Sequence, residues 1–142
     1  QMAGKMSKEE VDAFLDSKPG WMMLTTQGKD GYPHTVPIGY FRDGDRIFMG
    51  CRDNTQKVVN IERNSKVSLA VEDGTTMSDL RGILLRGNAK VVRDDDERLK
   101  ISRLAAELRG APQDDWPKTA SVGAVFIEVD SPRVTSWDYS KT

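Results

Sequence analysis

The chain has 142 residues, of which 37% are hydrophobic and 30% charged, and this length suits one domain with a modest core. Its 21 basic and 22 acidic residues leave a net charge of −1, which gives no electrostatic support for a nucleic-acid partner. No apolar run approaches the roughly 20 residues of a membrane span. Cys51 is the only cysteine and no signal-peptide pattern opens the chain, so a cytoplasmic location is expected.

The first predicted element is a short helix. Ser7 and Glu10 have the spacing of a capping box, in which each side chain accepts a hydrogen bond from the other residue's backbone N–H. Three apolar residues follow at helical spacing, namely Val11, Phe14 and Leu15. We expect residues 1–6 to be a disordered N-terminus or a cloning remnant, and residues 7–142 to form a single domain.

Two strands and a hairpin are predicted next. Residues 21–26 and 32–41 read as strands. Pro33 and Pro37 lack the N–H that a central strand needs, so the second strand is expected at a sheet edge or at a bulge. The turn sequence RDGD then predicts a hairpin, with residues 46–51 as the return strand.

The rest of the chain mixes helices and strands. The predicted elements are a helix at about 55–64, strands at 66–72 and 80–92, a helix that opens with the acidic run 94–97, and strands at 122–129 and 133–137. The apolar face of the later helix is predicted to comprise Ile101, Leu104, Ala105 and Leu108. Most links between strands are too short for parallel crossovers, which predicts a mainly antiparallel sheet curled into a small barrel with helices outside.

The start of the helix at 55–64 carries three side chains able to form hydrogen bonds: Thr55, Gln56 and Lys57. A cation in a first helical turn is unfavourable, because the N-terminal end of the helix dipole is positive. A bound anion would reverse this effect, since its charge suits both the free N–H groups and Lys57. The pattern therefore indicates either a phosphate-binding site or an ordinary solvated lysine.

Two further residues have two interpretations each. His34, the only histidine, is either a half-buried residue of the barrel wall or a hydrogen-bonding partner of a ligand. Cys51 is interpreted as a small buried hydrophobic residue rather than a nucleophile, because that is the commoner environment of a free cysteine.

Seven short segments carry a family resemblance: LTT at 24–26, GYPHTVP at 31–37, TQK at 55–57, NI at 60–61, KVSL at 66–69, LRGNA at 85–89 and RVTSW at 133–137. In this order and spacing they resemble the pyridoxamine-5'-phosphate-oxidase-like split β-barrels, which include flavin-dependent and deazaflavin-dependent oxidoreductases. The resemblance implies a mainly β fold, a six- to seven-stranded antiparallel split β-barrel with about three peripheral helices. It also implies a homodimer that holds two cofactors in clefts between the subunits.

The resemblance also assigns cofactor contacts by position. It implies that the ring and ribityl chain lie along the strand that contains His34, Thr35, Val36 and Pro37. Contacts on the neighbouring strand would come from Met49, Gly50 and Cys51, and the phosphate would be held by Thr55, Gln56 and Lys57. Arg86 and Trp137 are suggested as contributions of a partner subunit. No catalytic side chain and no metal site are predicted.

Two departures distinguish the chain from authentic pyridoxamine phosphate oxidases. The authentic enzymes are similar to one another in a Ser-Arg-Lys segment at the phosphate position, where this chain has Thr-Gln-Lys. They also carry a basic C-terminal segment, whereas this chain stops soon after Trp137. The chain looks more like the small reductases that use FMN or a deazaflavin of the factor 420 type. We therefore expect hydride transfer to a small unsaturated acceptor. The alternative is a non-catalytic protein of the same fold that stores a flavin or holds haem, with His34 as an axial ligand of the haem.

Overall fold

The structure, a computed structural model, describes residues 4–141. The eight strands are β1 Met22–Gln27, β2 Pro33–Ile38, β3 Phe41–Asp43, β4 Arg46–Arg52, β5 Lys66–Asp73, β6 Arg81–Val92, β7 Ala124–Asp130 and β8 Arg133–Asp138. The three α-helices are α1 Lys8–Asp16, α2 Gln56–Arg63 and α3 Asp95–Leu108. Short 3-10 turns lie at Gln113–Asp115 and Tyr139–Lys141.

All strand pairs are antiparallel and form one curled sheet in the order β2-β1-β5-β6-β7-β4-β3, with β8 added beside β6. The long strand β6 makes this curl, because its first part pairs with β5 and β8 while Ala89–Val92 pairs with β7. The curl brings β2 and β4 close together without pairing them. This mainly β, antiparallel half-barrel with three helices confirms the predicted fold class.

The sheet has eight strands, where six or seven were predicted. The difference lies at residues 32–41, which were predicted as one strand and instead form β2 and β3. Tyr40 lies between these two strands and is buried, and its hydroxyl donates a hydrogen bond to the backbone carbonyl of Leu15 at 2.5 Å. This contact with the end of α1 draws the chain away from the line of β2. The position of β2 at the sheet edge confirms the prediction made from Pro33 and Pro37.

Most buried apolar side chains form one core inside the barrel, with contributions from α1, α2 and six of the strands. The strand predicted at 66–72 is confirmed as β5, and its alternate residues Val67, Leu69 and Val71 all point into this core. A smaller core under α3 contains Phe48, Val92 and Ile101. The predicted apolar face of α3 is wrong at its end, because Leu108 is 52% exposed.

The chain before α1 lies alongside β8. Gly4 and Asp138 exchange two backbone hydrogen bonds, at 3.1 and 2.8 Å, and the Met6 N–H donates to Ser136 Oγ at 2.9 Å. The capping box of Ser7 and Glu10 is confirmed at the start of α1. The division into residues 1–6 and a domain at 7–142 stays a prediction, and residues 1–3 and 142 lie outside the described part of the chain.

Candidate functional site

The start of α2 is chemically unlike the starts of the other two α-helices. In α1 and α3 the side chains of Ser7 and Asp94 accept a backbone N–H, and acidic residues occupy the first turn. The N-cap of α2 is Thr55, whose hydroxyl donates to the Arg52 carbonyl at 3.1 Å and does not cap the helix. No acidic residue lies in the first turn of α2. Its first N–H groups and the positive end of its dipole therefore remain available to an anion.

A tight turn and an ion-pair cluster hold α2 in place. Asn54 adopts a left-handed backbone (φ 67°), and the Asp53 N–H before it donates to the Gly123 carbonyl at 2.9 Å. Arg93 binds the Asp53 carboxylate at 3.0 Å and the Glu62 carboxylate at 2.6 Å. Because Asp53 precedes the helix and Glu62 lies in its last turn, Arg93 connects both ends of α2 to the end of β6.

A polar network attaches α2 to β1. Asn60 is fully buried, donates to the Thr26 hydroxyl at 3.0 Å, and accepts from the Gln56 side chain at 2.8 Å. Arg63 also donates to Asn60, at 3.2 Å, and to the Gln27 carbonyl at 2.5 Å. The Gln56 side chain is thus occupied within the protein, so its backbone N–H is the group free to meet a ligand.

Lys57 and Cys51 lie close together beside this helix start. Burial raises the pKa of the Cys51 thiol, while the nearby Lys57 charge and a hydrogen bond with Thr55 lower it less strongly. The net shift is upward, so the thiol is protonated at neutral pH and is a poor nucleophile. Among residues 4–141, Lys57 has no salt-bridge partner, which leaves its ammonium group available.

The predicted contacts in β2 divide between its two faces. His34 and Val36 are half-buried and alternate with Thr35 and Pro37, which are exposed. The Thr35 hydroxyl lies 2.8 Å from the Thr25 hydroxyl on β1. His34 Nδ1 is buried and has no hydrogen-bond partner among the described residues, a condition that costs about 1–3 kcal/mol.

The predicted contacts in β4 likewise point in different directions. Met49 is fully buried in the main core, so only its backbone is placed to meet a ligand at the surface. Gly50 is exposed on the other face, where a Cβ atom would lie 3.2 Å from the Phe126 ring. Cys51 is half-buried against the main core. All three residues lie near the start of α2, because β4 is followed directly by the turn that precedes this helix.

Sequence reasoning missed two residues that build this site, Asn60 and Arg93. Asn60 belongs to a segment of the family resemblance but received no role, and it is a polar residue on the buried face of a short helix. The only signal for Arg93 was an arginine at a strand end. Within residues 4–141 no group of three or more His, Cys, Asp or Glu side chains could hold a metal ion. No helix in that range is long and apolar enough to cross a membrane.

A family model described as pyridoxamine 5'-phosphate oxidase matches residues 7–136, which is nearly the whole chain. The protein therefore belongs to the pyridoxamine 5'-phosphate oxidase family, and this confirms the resemblance found in its sequence. A search of curated proteins gave no match.

Three solved structures illustrate the similarity. The conserved hypothetical protein Rv2991 from Mycobacterium tuberculosis is 27% identical with a TM-score of 0.79, and the match covers 96% of this chain and 87% of that one. An F420 reductase is 22% identical with a TM-score of 0.63, covering 86% and 94%. A FAD-binding protein from Mesorhizobium loti is 19% identical with a TM-score of 0.71, covering 96% and 97%.

Solved structures with this fold thus include a FAD-binding protein, an F420 reductase and a haem storage protein from Vibrio cholerae. The fold is common to all of them, so the nature of the ligand depends on the side chains of the site.

Proposed function

We propose that the protein is an oxidoreductase that binds FMN or an F420-type deazaflavin and transfers a hydride to a small unsaturated acceptor. The observation that carries this proposal is the start of α2, which has no side-chain cap and no acidic residue in its first turn. A phosphate there would accept hydrogen bonds from the free N–H groups and from Lys57. Gln56 would contribute through its backbone N–H, and the Thr55 hydroxyl would donate to the phosphate in place of the Arg52 carbonyl.

The ring of the cofactor would lie along the edge strand β2. An edge strand has unpaired backbone N–H and C=O groups, which can form hydrogen bonds with the polar rim of a flavin. Thr35 and Pro37 are exposed on this strand, and the half-buried His34 offers its unpartnered Nδ1. When bound, the cofactor supplies the hydride chemistry, and the chain binds, orients and shields it.

No side chain is assigned a catalytic role. The protonated Cys51 thiol is a poor nucleophile. Because the cofactor supplies the redox chemistry, the backbone and the start of α2 need only hold it in position. Oxidation of vitamin B6 is not part of the proposal, because the phosphate segment Thr-Gln-Lys departs from the Ser-Arg-Lys of the authentic enzymes.

We also propose a homodimer that encloses the cofactor. Pro37, Met23, Ala70 and Leu84 face the same side of four neighbouring strands, in register, and form an apolar row on the outside of the sheet. Met23 is 38% exposed in the single chain. A second copy seated on this row would bury it and would close the cofactor strand into a cleft. The cytoplasmic location stays a prediction.

The second candidate is a non-catalytic haem-binding or flavin-storage protein. His34, the only histidine, would be the axial ligand of a haem, and its ring would have to turn outward because Nδ1 is buried and has no hydrogen-bond partner among the described residues. Titration of the purified protein with FMN, F420 and haem, followed by absorption spectra, separates the candidates. We expect FMN or F420 to bind at micromolar concentration or below. Binding of haem alone would overturn the oxidoreductase proposal.

A further inference from the structure

The outer face of the sheet carries a groove with three cations and no acidic residue in its lining. Its volume is about 650 Å³, and it lies over β1, β5, β6 and β8. The cations are Lys66, Arg86 and Arg133. Among the residues that the structure describes, none of these three side chains forms a salt bridge or a side-chain hydrogen bond.

Arg86 and Arg133 lie directly opposite each other on β6 and β8. Opposed residues of an antiparallel pair have Cβ atoms about 4.5–5.5 Å apart, and like charges in this position are destabilising. Several other arginines have carboxylate partners, among them Arg42 with Asp16, Arg81 with Asp73, and Arg93 with Asp53 and Glu62. An anion between Arg86 and Arg133 would replace their repulsion by two attractive contacts.

A row of polar side chains connects these arginines to the strand proposed to hold the cofactor ring. Thr35 is in register with Thr25, Thr25 with Ser68, and Ser68 with Arg86. With neighbouring strands about 4.8 Å apart, Arg86 lies about 14 Å from Thr35 across the sheet. A ligand with its ring on β2 therefore meets the arginines only if it carries an extension of about that length.

We propose that this groove is a second anion-binding site, separate from the start of α2, for a ligand that carries at least two carboxylate or phosphate groups. Two sources would supply this chemistry, the extended acidic tail of a deazaflavin and a free polyanion. The first source rests on the proposed function, whereas the second is independent of it. FMN, whose single phosphate is assigned to α2, would leave the groove empty.

The test uses the full chain with the single variants R86Q and R133Q, the double variant R86Q/R133Q and the control R109Q. Arg109 is an exposed arginine at the end of α3, so its replacement removes a charge far from the groove. Tripolyphosphate serves as the free polyanion and is titrated into cofactor-free protein by calorimetry. We expect R86Q and R133Q each to weaken its binding roughly tenfold, which corresponds to about 1.4 kcal/mol. The unliganded double variant should be at least as resistant to urea as the wild type, because a repulsive pair has been removed.

F420 and FMN are titrated in parallel to identify the source. A loss of F420 affinity in R86Q/R133Q that exceeds any loss of FMN affinity at least tenfold would support the proposal and assign the groove to the cofactor tail. Loss of tripolyphosphate binding alone would support it with a free anion as the ligand. Equal tripolyphosphate and F420 binding in R86Q/R133Q and R109Q would overturn it. If neither cofactor binds at all, the oxidoreductase proposal fails, and the tripolyphosphate result still decides the anion site.

Discussion

The side chains of Asn60 and Thr26 are hydrogen-bonded to each other at 3.0 Å, and both residues are at most 1% exposed. Asn60 lies on the inner face of α2, and Thr26 lies on β1 beside the edge strand β2. The bond therefore joins the proposed phosphate helix to the neighbour of the proposed ring-binding strand. The relative placement of the two halves of the site depends on this contact.

Replacement of Asn60 by Ala should destabilise the protein by about 1–3 kcal/mol, because the buried Thr26 hydroxyl and the Gln56 amide lose their partner. Urea unfolding measures the loss. Thr26→Val and the double variant complete a double-mutant cycle. The free energy of unfolding should fall less in the double variant than the sum of the losses in the two single variants. Strict additivity would show that the two side chains do not interact.

Lys57→Ala should weaken FMN binding by roughly 10- to 150-fold, since a charged hydrogen bond contributes about 1.5–3 kcal/mol. Fluorescence titration measures this effect. The unliganded variant should lose no stability, because a cation has been removed from the positive end of a helix.

Two controls accompany the Lys57 experiment. Riboflavin has the ring without the phosphate, so its affinity should not change in Lys57→Ala. Lys100→Ala removes the same charge from an exposed position within α3 and should leave FMN binding intact. Equal losses for FMN and riboflavin would place the phosphate elsewhere.

Cys51 should react slowly with iodoacetamide at neutral pH. Burial raises the pKa of its thiol, so the thiolate that reacts forms only at a pH above the usual range for cysteine. Mass spectrometry of the alkylated protein measures the rate, and the chain unfolded in urea provides the fast reference.

Cys51→Ser should keep turnover within about tenfold, a change of 1.4 kcal/mol in the barrier. A loss of several thousandfold in a variant that still binds the cofactor would reveal covalent chemistry at this residue.

Glu10 should make the stability of the protein depend on acid pH. A hydrogen bond from Lys141, followed by the cap with Ser7, lowers the pKa of Glu10 to about 2 from the usual 4.5. A carboxylate with a lowered pKa stabilises the folded state fully above pH 4.5, and this contribution disappears as the pH falls toward 2. Urea unfolding at several pH values in this window should show a shallower pH dependence in Glu10→Gln than in the wild type. Glu9→Gln, which removes one charge from the same turn of α1, is the matched control for the change in net charge.

Light scattering should give a mass close to twice the 15.9 kDa of the chain. Met23→Glu places a charge in the centre of the apolar row and should produce monomers. Met77→Glu is the matched control, because Met77 is 65% exposed in the loop between β5 and β6 and lies outside the row. A wild-type protein that stays monomeric with its cofactor bound would contradict the proposed dimer.

Local signals in the sequence were sufficient for much of the fold. The capping box of Ser7 and Glu10, the hairpin after Phe41 and the alternation in β5 each depend on residues only a few positions apart. The start of α2 was also recognisable, because Thr55, Gln56 and Lys57 are contiguous in the chain, whereas the lack of a side-chain cap at Thr55 was visible only in the structure. These features follow from backbone geometry and from the helix dipole, which act over a single turn.

The tertiary structure alone decided how these elements combine. Asn60 and Thr26 are 34 positions apart in the chain, and Arg86 and Arg133 face each other only through the register of β6 with β8. The exposure of Leu108 likewise depends on how α3 packs against the sheet. Sequence patterns show which face of an element is apolar, whereas the pairing partner and the register follow from packing of the whole core. The network below α2 and the cationic groove could therefore be found only in the folded chain.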